Sequence, residues 1–159
     1  MSQVVFEKVC ALLDARGVVY TVKTHRAATT AVQAARARGL GADGVRRGAK
    51  AMVLLADGVF VQCVVPGDVL VDLDKVKVLL GVKEVVLASS QQVEAATGCV
   101  PGSVPPFGNL FNMRVYADVG LADGLVFSAG LCEKSIFMSR LDWERVVQPV
   151  VVEIGQPWR

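Results

Sequence analysis

A chain of 159 residues with a formal net charge of +2 is long enough to bury one substantial core and short for two ordinary domains. Hydrophobic residues make up 53% of it and charged residues 20%, which excludes a disordered chain. The near-neutral balance excludes a histone-like or tail-mediated nucleic-acid binder and leaves a local basic patch open.

In chain order, Val5, Val9, Leu12, Leu13 and Arg16 follow helical spacing, and Gly17 ends the element. Val18 to His25 alternates as a strand, with His25 at its end. Thr30 and Gln33 form a capping box before an alanine-rich helix that runs to Arg38 and stops at Gly39 and Gly41. Residues 39–49 read as a Gly/Arg loop. Two strands follow, Ala51–Ala56 and Val59–Val65, joined by the hairpin dipeptide Asp57-Gly58. The first of them is apolar on both faces, which places it centrally. Pro66-Gly67-Asp68 turns the chain, and a short helix spans Leu73–Leu80 up to Gly81.

Glu84–Ala88 reads as a brief strand, and Ser89 with Gln92 opens a helix that runs to Thr97 and ends at Gly98. Strands are expected at Met113–Asp118, Leu125–Ala129 and Ser135–Met138. Ser139 with Asp142 caps a helix through Val147 that carries Trp143, and Pro149 breaks it. Val150–Ile154 is a closing strand, and the tail Gly155–Arg159 is expected to be loose. Hairpins interspersed with helices, without regular β-α alternation, give an α+β fold: one domain over 1–159, core about 18–147. Its sheet is expected to be mixed, mostly antiparallel, and curled toward a barrel surrounded by helices.

Four cysteines (Cys10, Cys63, Cys99, Cys132) lie far apart without CxxC spacing, and there is one histidine, so no zinc site is expected. They read as reduced thiols of a cytoplasmic protein. Met1-Ser2-Gln3 lacks the basic start and apolar run of a signal peptide, and no apolar run reaches the length of a membrane span.

The stretch richest in chemistry is 98–108, with Gly98, Gly102, Gly108, Pro101, Pro105 and Pro106. Proline fixes φ and removes a donor, and glycine allows close backbone approach. The outcome is a stiff loop with bare amides, a cradle for an anion or a developing oxyanion. Lys50, at the head of the apolar run Ala51–Leu55, is expected to meet this loop, and its place at a buried strand's edge would lower its pKa. Plainer readings exist: a lysine snorkelling from a strand end, and a helix C-cap with a rigid connection. Cys99 and Ser103 or Ser128 are candidate nucleophiles, but His25 is the one available histidine base and no Gly-x-Ser-x-Gly elbow exists. Asp68, Asp72 and Asp74 fit turns and a helix start better than a metal site.

Several residues in order carry a family resemblance. They are His25 after an early strand, Lys50 opening a buried strand, Leu70-Val71-Asp72-Leu73, and Gly-x-x-Pro-Gly from Gly98 through Pro101 to Gly102. Pro105-Pro106-Phe107-Gly108, Asp118 closing a strand, and Ala129-Gly130 complete the series. The chain resembles the YbaK / prolyl-tRNA synthetase-associated editing domain family from about Val18 to Val147. The resemblance implies hydrolysis, in trans, of the ester of a mischarged aminoacyl-tRNA, often tRNA-Pro carrying alanine, cysteine or a similar small residue. It implies neither metal nor organic cofactor. The expected partners are the acceptor end of aminoacyl-tRNA and a synthetase or synthetase complex, with no DNA and no membrane.

By the same resemblance Lys50, Gly98, Pro101 and Gly102 form the catalytic site. Substrate binding falls to His25, Ala51, Phe107, Gly108, Asp118, Ser128 and Gly130. The basic stretch Arg36, Arg38, Arg46 and Arg47, broken only by Asp43, reads as a solvated face or as contacts to tRNA phosphates. One departure concerns Ala51, where several family members carry Thr, Ser or Asn, so amino-acid specificity does not carry over. Two further readings stay open: a non-catalytic tRNA- or synthetase-binding module of the same fold, and a thiol hydrolase using Cys99. A small pocket between Lys50 and Gly102 would suit alanine, and a wider one cysteine, serine or threonine.

Overall fold

The computed structural model describes residues 2–41 and 43–157. Helix α1 (Ser2–Ala15) buries Val5, Val9 and Leu13, the stripe its spacing predicts, and stops before Gly17 at φ +64°. Strand β1 (Thr21–Thr24) is half the expected length, because only these four residues find a ladder partner. Helix α2 (Ala31–Ala37) starts at Thr30, whose side chain accepts from the Gln33 amide. The Gln33 side chain does not close the box; it accepts from the amide and hydroxyl of Thr29 instead. The expected Gly/Arg loop contains a helical turn, α3 (Gly44–Arg47), and strand β2 (Ala49–Ala56) begins inside it.

Strands β2 and β3 (Val59–Pro66) form the antiparallel hairpin, with Asp57 and Gly58 both at positive φ. A short strand, β4 (Val69–Val71), follows before α4 (Leu73–Leu80), which Asp72 caps at one end and left-handed Gly81 at the other. Then come β5 (Val85–Leu87) and α5 (Ser90–Thr97), whose Ser89/Gln92 capping box is complete. A 3-10 turn (Gly108–Phe111) leads into β6 (Arg114–Asp118), β7 (Gly124–Ser128), β8 (Lys134–Ser139), α6 (Arg140–Val147) and β9 (Val150–Val152). The tail is not loose where it is described. Gly155–Pro157 forms β10, paired antiparallel with β4, while Trp158 and Arg159 lie outside the described residues.

The fold is the expected mixed α+β domain, and its sheets do not close into a barrel. The described strands make a β5-β2-β3-β6-β9 sheet, a β1-β8-β7 sheet and the β10-β4 pair. Strand β2 is interior, as its two apolar faces require, yet β3 holds the centre. It pairs antiparallel with β2 and parallel with β6. A single parallel bridge from Gly48 to Val126 joins the two larger sheets.

Period-two alternation divides the core. Val61, Cys63 and Val65 of β3 pack with Leu54, Val76, Tyr116 and Ile154 on the α4 side. Val64 packs with Phe107, Phe127, Leu13 and Trp143 on the other. A third cluster joins Val53 to Val93, Cys99 and Val104.

Two buried polar side chains organise the remaining backbone. The Asp118 carboxylate accepts from the amides of Gly120, Ile154 and Gly155, fixing the start of β10. The Gln62 side chain, fully buried in β3, donates from Nε2 to the Pro105 carbonyl at 3.0 Å and accepts at Oε1 from the Gly108 amide at 2.9 Å. Replacing it by an apolar side chain leaves the buried Gly108 amide without a partner and the Pro105 carbonyl with the Phe107 amide alone. Gln62→Leu should therefore lower unfolding free energy by about 2–4 kcal/mol; a denaturation midpoint equal to that of the wild type would contradict this.

Candidate active site

The cavity at the head of β2 is small, about 80 Å³, and both Lys50 and Gly102 line it. The two points that the sequence pairs are therefore brought together. Lys50 is half-buried, and its ammonium makes no hydrogen bond or ion pair with any described residue. Burial pushes its ammonium below the ordinary lysine pKa, and the charge of Asp68 offsets part of that. Along β2, Lys50, Met52 and Leu54 alternate with Ala49, Ala51 and Val53. Lys50 and Met52 also border a larger groove of about 500 Å³, completed by Leu70, Asp72, Leu87 and Gln156. Lys50 thus stands between a small cavity and a wide groove.

The opposite wall comes from the Gly/Pro loop. Gly98 sits at φ +73° and donates to the Glu94 carbonyl, so it serves as the C-cap of α5 and does not line the cavity. Gly102 has φ +90°, and a Cβ there would lie 3.0 Å from the Thr29 carbonyl oxygen. Only glycine lets the loop come this close to the segment before α2. No described residue accepts a hydrogen bond from the Gly102 or Val104 amide, and both residues line the cavity. Pro101 and Ala51 border an adjoining cavity of about 150 Å³. The loop tip 100–102 is exposed, whereas 103–108 is buried.

That division relocates several expected site residues. Phe107 is fully buried, edge-on to Phe127 with ring centroids 5.5 Å apart. It packs the core and does not reach the cavity. Gly108 is held under Gln62, where a Cβ would meet Val115 at 2.8 Å. Asp118 spends its carboxylate on three backbone amides. Gly130, at φ +95°, donates to the Ser103 carbonyl at 2.8 Å, tying the β7–β8 hairpin to the loop without lining the cavity. Cys99 is fully buried, its thiol donates to the Thr97 carbonyl, and burial pushes its pKa up. An inert thiol of this kind does not serve as a nucleophile.

Arg38 is the largest departure from the sequence reading. The sequence places it on a solvated face or against tRNA phosphates, but it is 6% exposed and lines the cavity. Its Nε donates to Ser135 Oγ at 2.8 Å and its Nη2 to Ser128 Oγ at 3.5 Å. Burial without a carboxylate brings its pKa down to about 10. His25 lies behind this group, not in the cavity. Its Nδ1 is 2.6 Å from the Arg26 carbonyl and its Nε2 is 2.7 Å from Ser135 Oγ. A carbonyl only accepts, so Nδ1 carries the proton and the Ser135 hydroxyl donates to Nε2. The Ser135 oxygen is then free to accept from Arg38. Of the other arginines, Arg36 and Arg46 are exposed, and Arg47 is half-exposed with its guanidinium 6.0 Å from the Phe137 ring centre.

The sequence reading missed Thr29, Thr30 and Gly67, which also line the cavity, and Ser135 and Gln62, which hold its walls. Thr30 was read only as a cap and Gly67 only as a turn. Nothing in the local pattern marks Ser135 or Gln62.

Comparison with known proteins identifies the family. The model of the aminoacyl-tRNA editing domain matches residues 25–146. The Escherichia coli (strain K12) protein named Multifunctional Ser/Thr-tRNA deacylase ProXp-y is 32% identical over 160 residues, covering 95% of this chain and 93% of that one. The proline–tRNA ligase of Leuconostoc citreum (strain KM20) is 35% identical over 107 residues, 67% of this chain but 19% of the ligase. A solved structure described as a candidate trans-editing enzyme for prolyl tRNA synthetase shares the fold, with a TM-score of 0.81 at 24% identity over 95% of this chain and 96% of that one. The chain belongs to the aminoacyl-tRNA editing domain family.

Proposed function

We propose that the chain is a free-standing deacylase that hydrolyses the ester of a mischarged aminoacyl-tRNA in trans. The observation that carries this reading is the pairing of the Lys50 ammonium, unpartnered among the described residues, with the Gly102 loop across one small cavity. An aminoacyl ester is already activated, so hydrolysis requires a held water and stabilisation of the charge that develops on oxygen. Water adds to the carbonyl carbon, and the π pair moves onto the carbonyl oxygen. The pair returns as the bond to the ribose oxygen breaks, and the proton lost by water goes to that oxygen. The loop amides and the Lys50 ammonium supply the donors. The groove of about 500 Å³ beyond Lys50 is of a size to take the terminal nucleoside.

Beside Lys50, Arg38 and two valines, the cavity walls are small or hydroxyl-bearing, among them Ala31, Ala49, Ala51, Thr29, Thr30 and Ser128. These suit alanine, cysteine, serine or threonine. The name of the E. coli relative puts serine and threonine first, and similarity to a proline–tRNA ligase keeps tRNA-Pro among the carriers. Arg36, Arg46 and Arg47 contact acceptor-end phosphates, and the protein acts in the cytoplasm, where aminoacyl-tRNA is made. No described helix is long and apolar enough to cross a membrane.

Deacylation of a panel of mischarged tRNAs tests the reading. Lys50→Ala should lower kcat/KM by about 10²-fold or more. If wild type binds tRNA yet turns over no substrate, a binding module is the better description. Because the Lys50 ammonium titrates below the ordinary lysine range, activity carried by it should fall as pH rises through that lowered value. Lys50→Arg should retain part of the activity and move the falling limb to higher pH; identical profiles would remove the charge from the mechanism.

Gly102→Ala forces a Cβ against Thr29 at positive φ. It should cost about 1–2 kcal/mol of stability by thermal melting and reduce turnover further than the melting shift explains. Unchanged turnover would separate the loop from the chemistry. The double variant Arg36→Ala/Arg46→Ala should make the log–log salt dependence of tRNA binding shallower by about 1.5; an unchanged slope would mean that neither meets a phosphate.

A further inference from the structure

Arg38 is more than a misplaced surface arginine. It is a buried guanidinium without a carboxylate partner among the described residues. Two serine hydroxyls hold Nε and Nη2, and Nη1 donates to no described residue. Nη1 lies 3.7 Å from where a side chain on Gly48 would begin, and Gly48 lines the same cavity as Lys50, Gly102 and Ser128. An interior cation that serves stability alone is normally paired, because an unpaired buried charge is costly. Here two unpaired cations, Arg38 and Lys50, border one space of about 80 Å³. Their field attracts negative charge such as that developing on a carbonyl oxygen. The space is walled largely by small residues, alanines and glycines foremost, and no carboxylate of the described residues lines it to offset that attraction.

We propose that Arg38 is a catalytic residue of the deacylation, its guanidinium binding the scissile carbonyl oxygen as charge develops there, with Ser135 and His25 as positioning residues behind it. The inference rests on the deacylase reading above. When water adds to the carbonyl carbon, the π pair becomes a lone pair on the oxygen, and Arg38 donates N–H hydrogen bonds to it without giving up a proton. The pair returns as the bond to the ribose oxygen breaks, and the proton released by water ends on that oxygen. The chain Arg38 Nε to Ser135 Oγ, Ser135 hydroxyl to His25 Nε2, and His25 Nδ1 to the Arg26 carbonyl runs in one direction. It fixes the guanidinium before substrate arrives, which is what electrostatic preorganisation requires.

The test is steady-state kinetics on whichever aminoacyl-tRNA the wild type hydrolyses. Arg38→Gln should lower kcat by about 10²–10³-fold with KM within about twofold. Arg38→Lys, which keeps the charge and loses the fork, should fall between. Ser135→Ala should lower kcat less, and should add little to Arg38→Gln in the double variant. Binding supplies a second readout: wild type should prefer a tetrahedral phosphonate analogue of 3′-aminoacyl-adenosine over the amide analogue, and Arg38→Lys should lose that preference. Melting curves accompany each variant, and Arg38→Lys carries the test if Arg38→Gln does not fold. Wild-type kcat in both Arg38 variants would overturn the inference. So would an effect confined to KM with a shallower salt dependence, since that marks a ground-state phosphate anchor. A wild type inactive on every aminoacyl-tRNA overturns the deacylase reading and this inference together, a result distinct from either of those.

Discussion

The geometry of the cavity depends on one buried amide side chain. Gln62 sits in the middle of the central strand and bonds the proline-glycine segment on both sides of Phe107. Trp143 adds a third tie, donating from Nε1 to the Pro106 carbonyl at 2.9 Å, and Gly130 a fourth, to the Ser103 carbonyl. A segment with three prolines supplies few backbone donors of its own, so its carbonyls are met in part by side chains and by the Gly130 amide. These ties sink residues 103–108 into the core and leave the tip at 100–102 exposed, with Gly102 on the cavity that Lys50 lines. The loop is rigid because it is anchored beyond the cavity, not because of anything in the cavity.

The electrostatics follow the same division between support and site. Asp118, the buried carboxylate, is fully engaged by backbone amides and holds the β10 end of the groove. Neither cation at the cavity forms an ion pair with a described residue. Lys50 is half-buried beside the charge of Asp68, and Arg38 is deeper and held by hydroxyls alone. Neutral hydroxyls orient a guanidinium without cancelling its charge, whereas a carboxylate would do both. A cavity built this way keeps its positive potential available to a ligand.

Much of the fold was legible in the sequence because local signals were strong. Asp57-Gly58 specified the hairpin, Ser89/Gln92 and Ser139/Asp142 specified helix starts, and Gly81 and Gly98 specified helix ends. Lys50 and the Gly98–Gly102 motif could be paired because each breaks the pattern around it. What stayed hidden depends on long-range contacts. Strand β10 exists only because β4 and Asp118 receive it. Arg38 looks like any basic residue at a helix end until the β7–β8 hairpin brings Ser128 and Ser135 over it. Phe107 and Gly108 belong to the most recognisable motif of the chain, yet they support the loop from below. A motif marks a segment, and burial decides which of its residues face the ligand.

The central strand joins two kinds of neighbour, and this bears on how the molecule assembles. Pairing β3 with β2 closes a two-residue turn, whereas pairing it with β6 brings residues 61–64 to 114–117, and β1 must find β8 across most of the chain. Loop closure makes such non-local pairings late and slow relative to the hairpin. Lys50 is in place once the hairpin forms, but Arg38 acquires its serines only when the β7–β8 hairpin docks against β1 and β2. Partly folded chains therefore carry half a cavity, and ligand binding there reports completion of the whole topology.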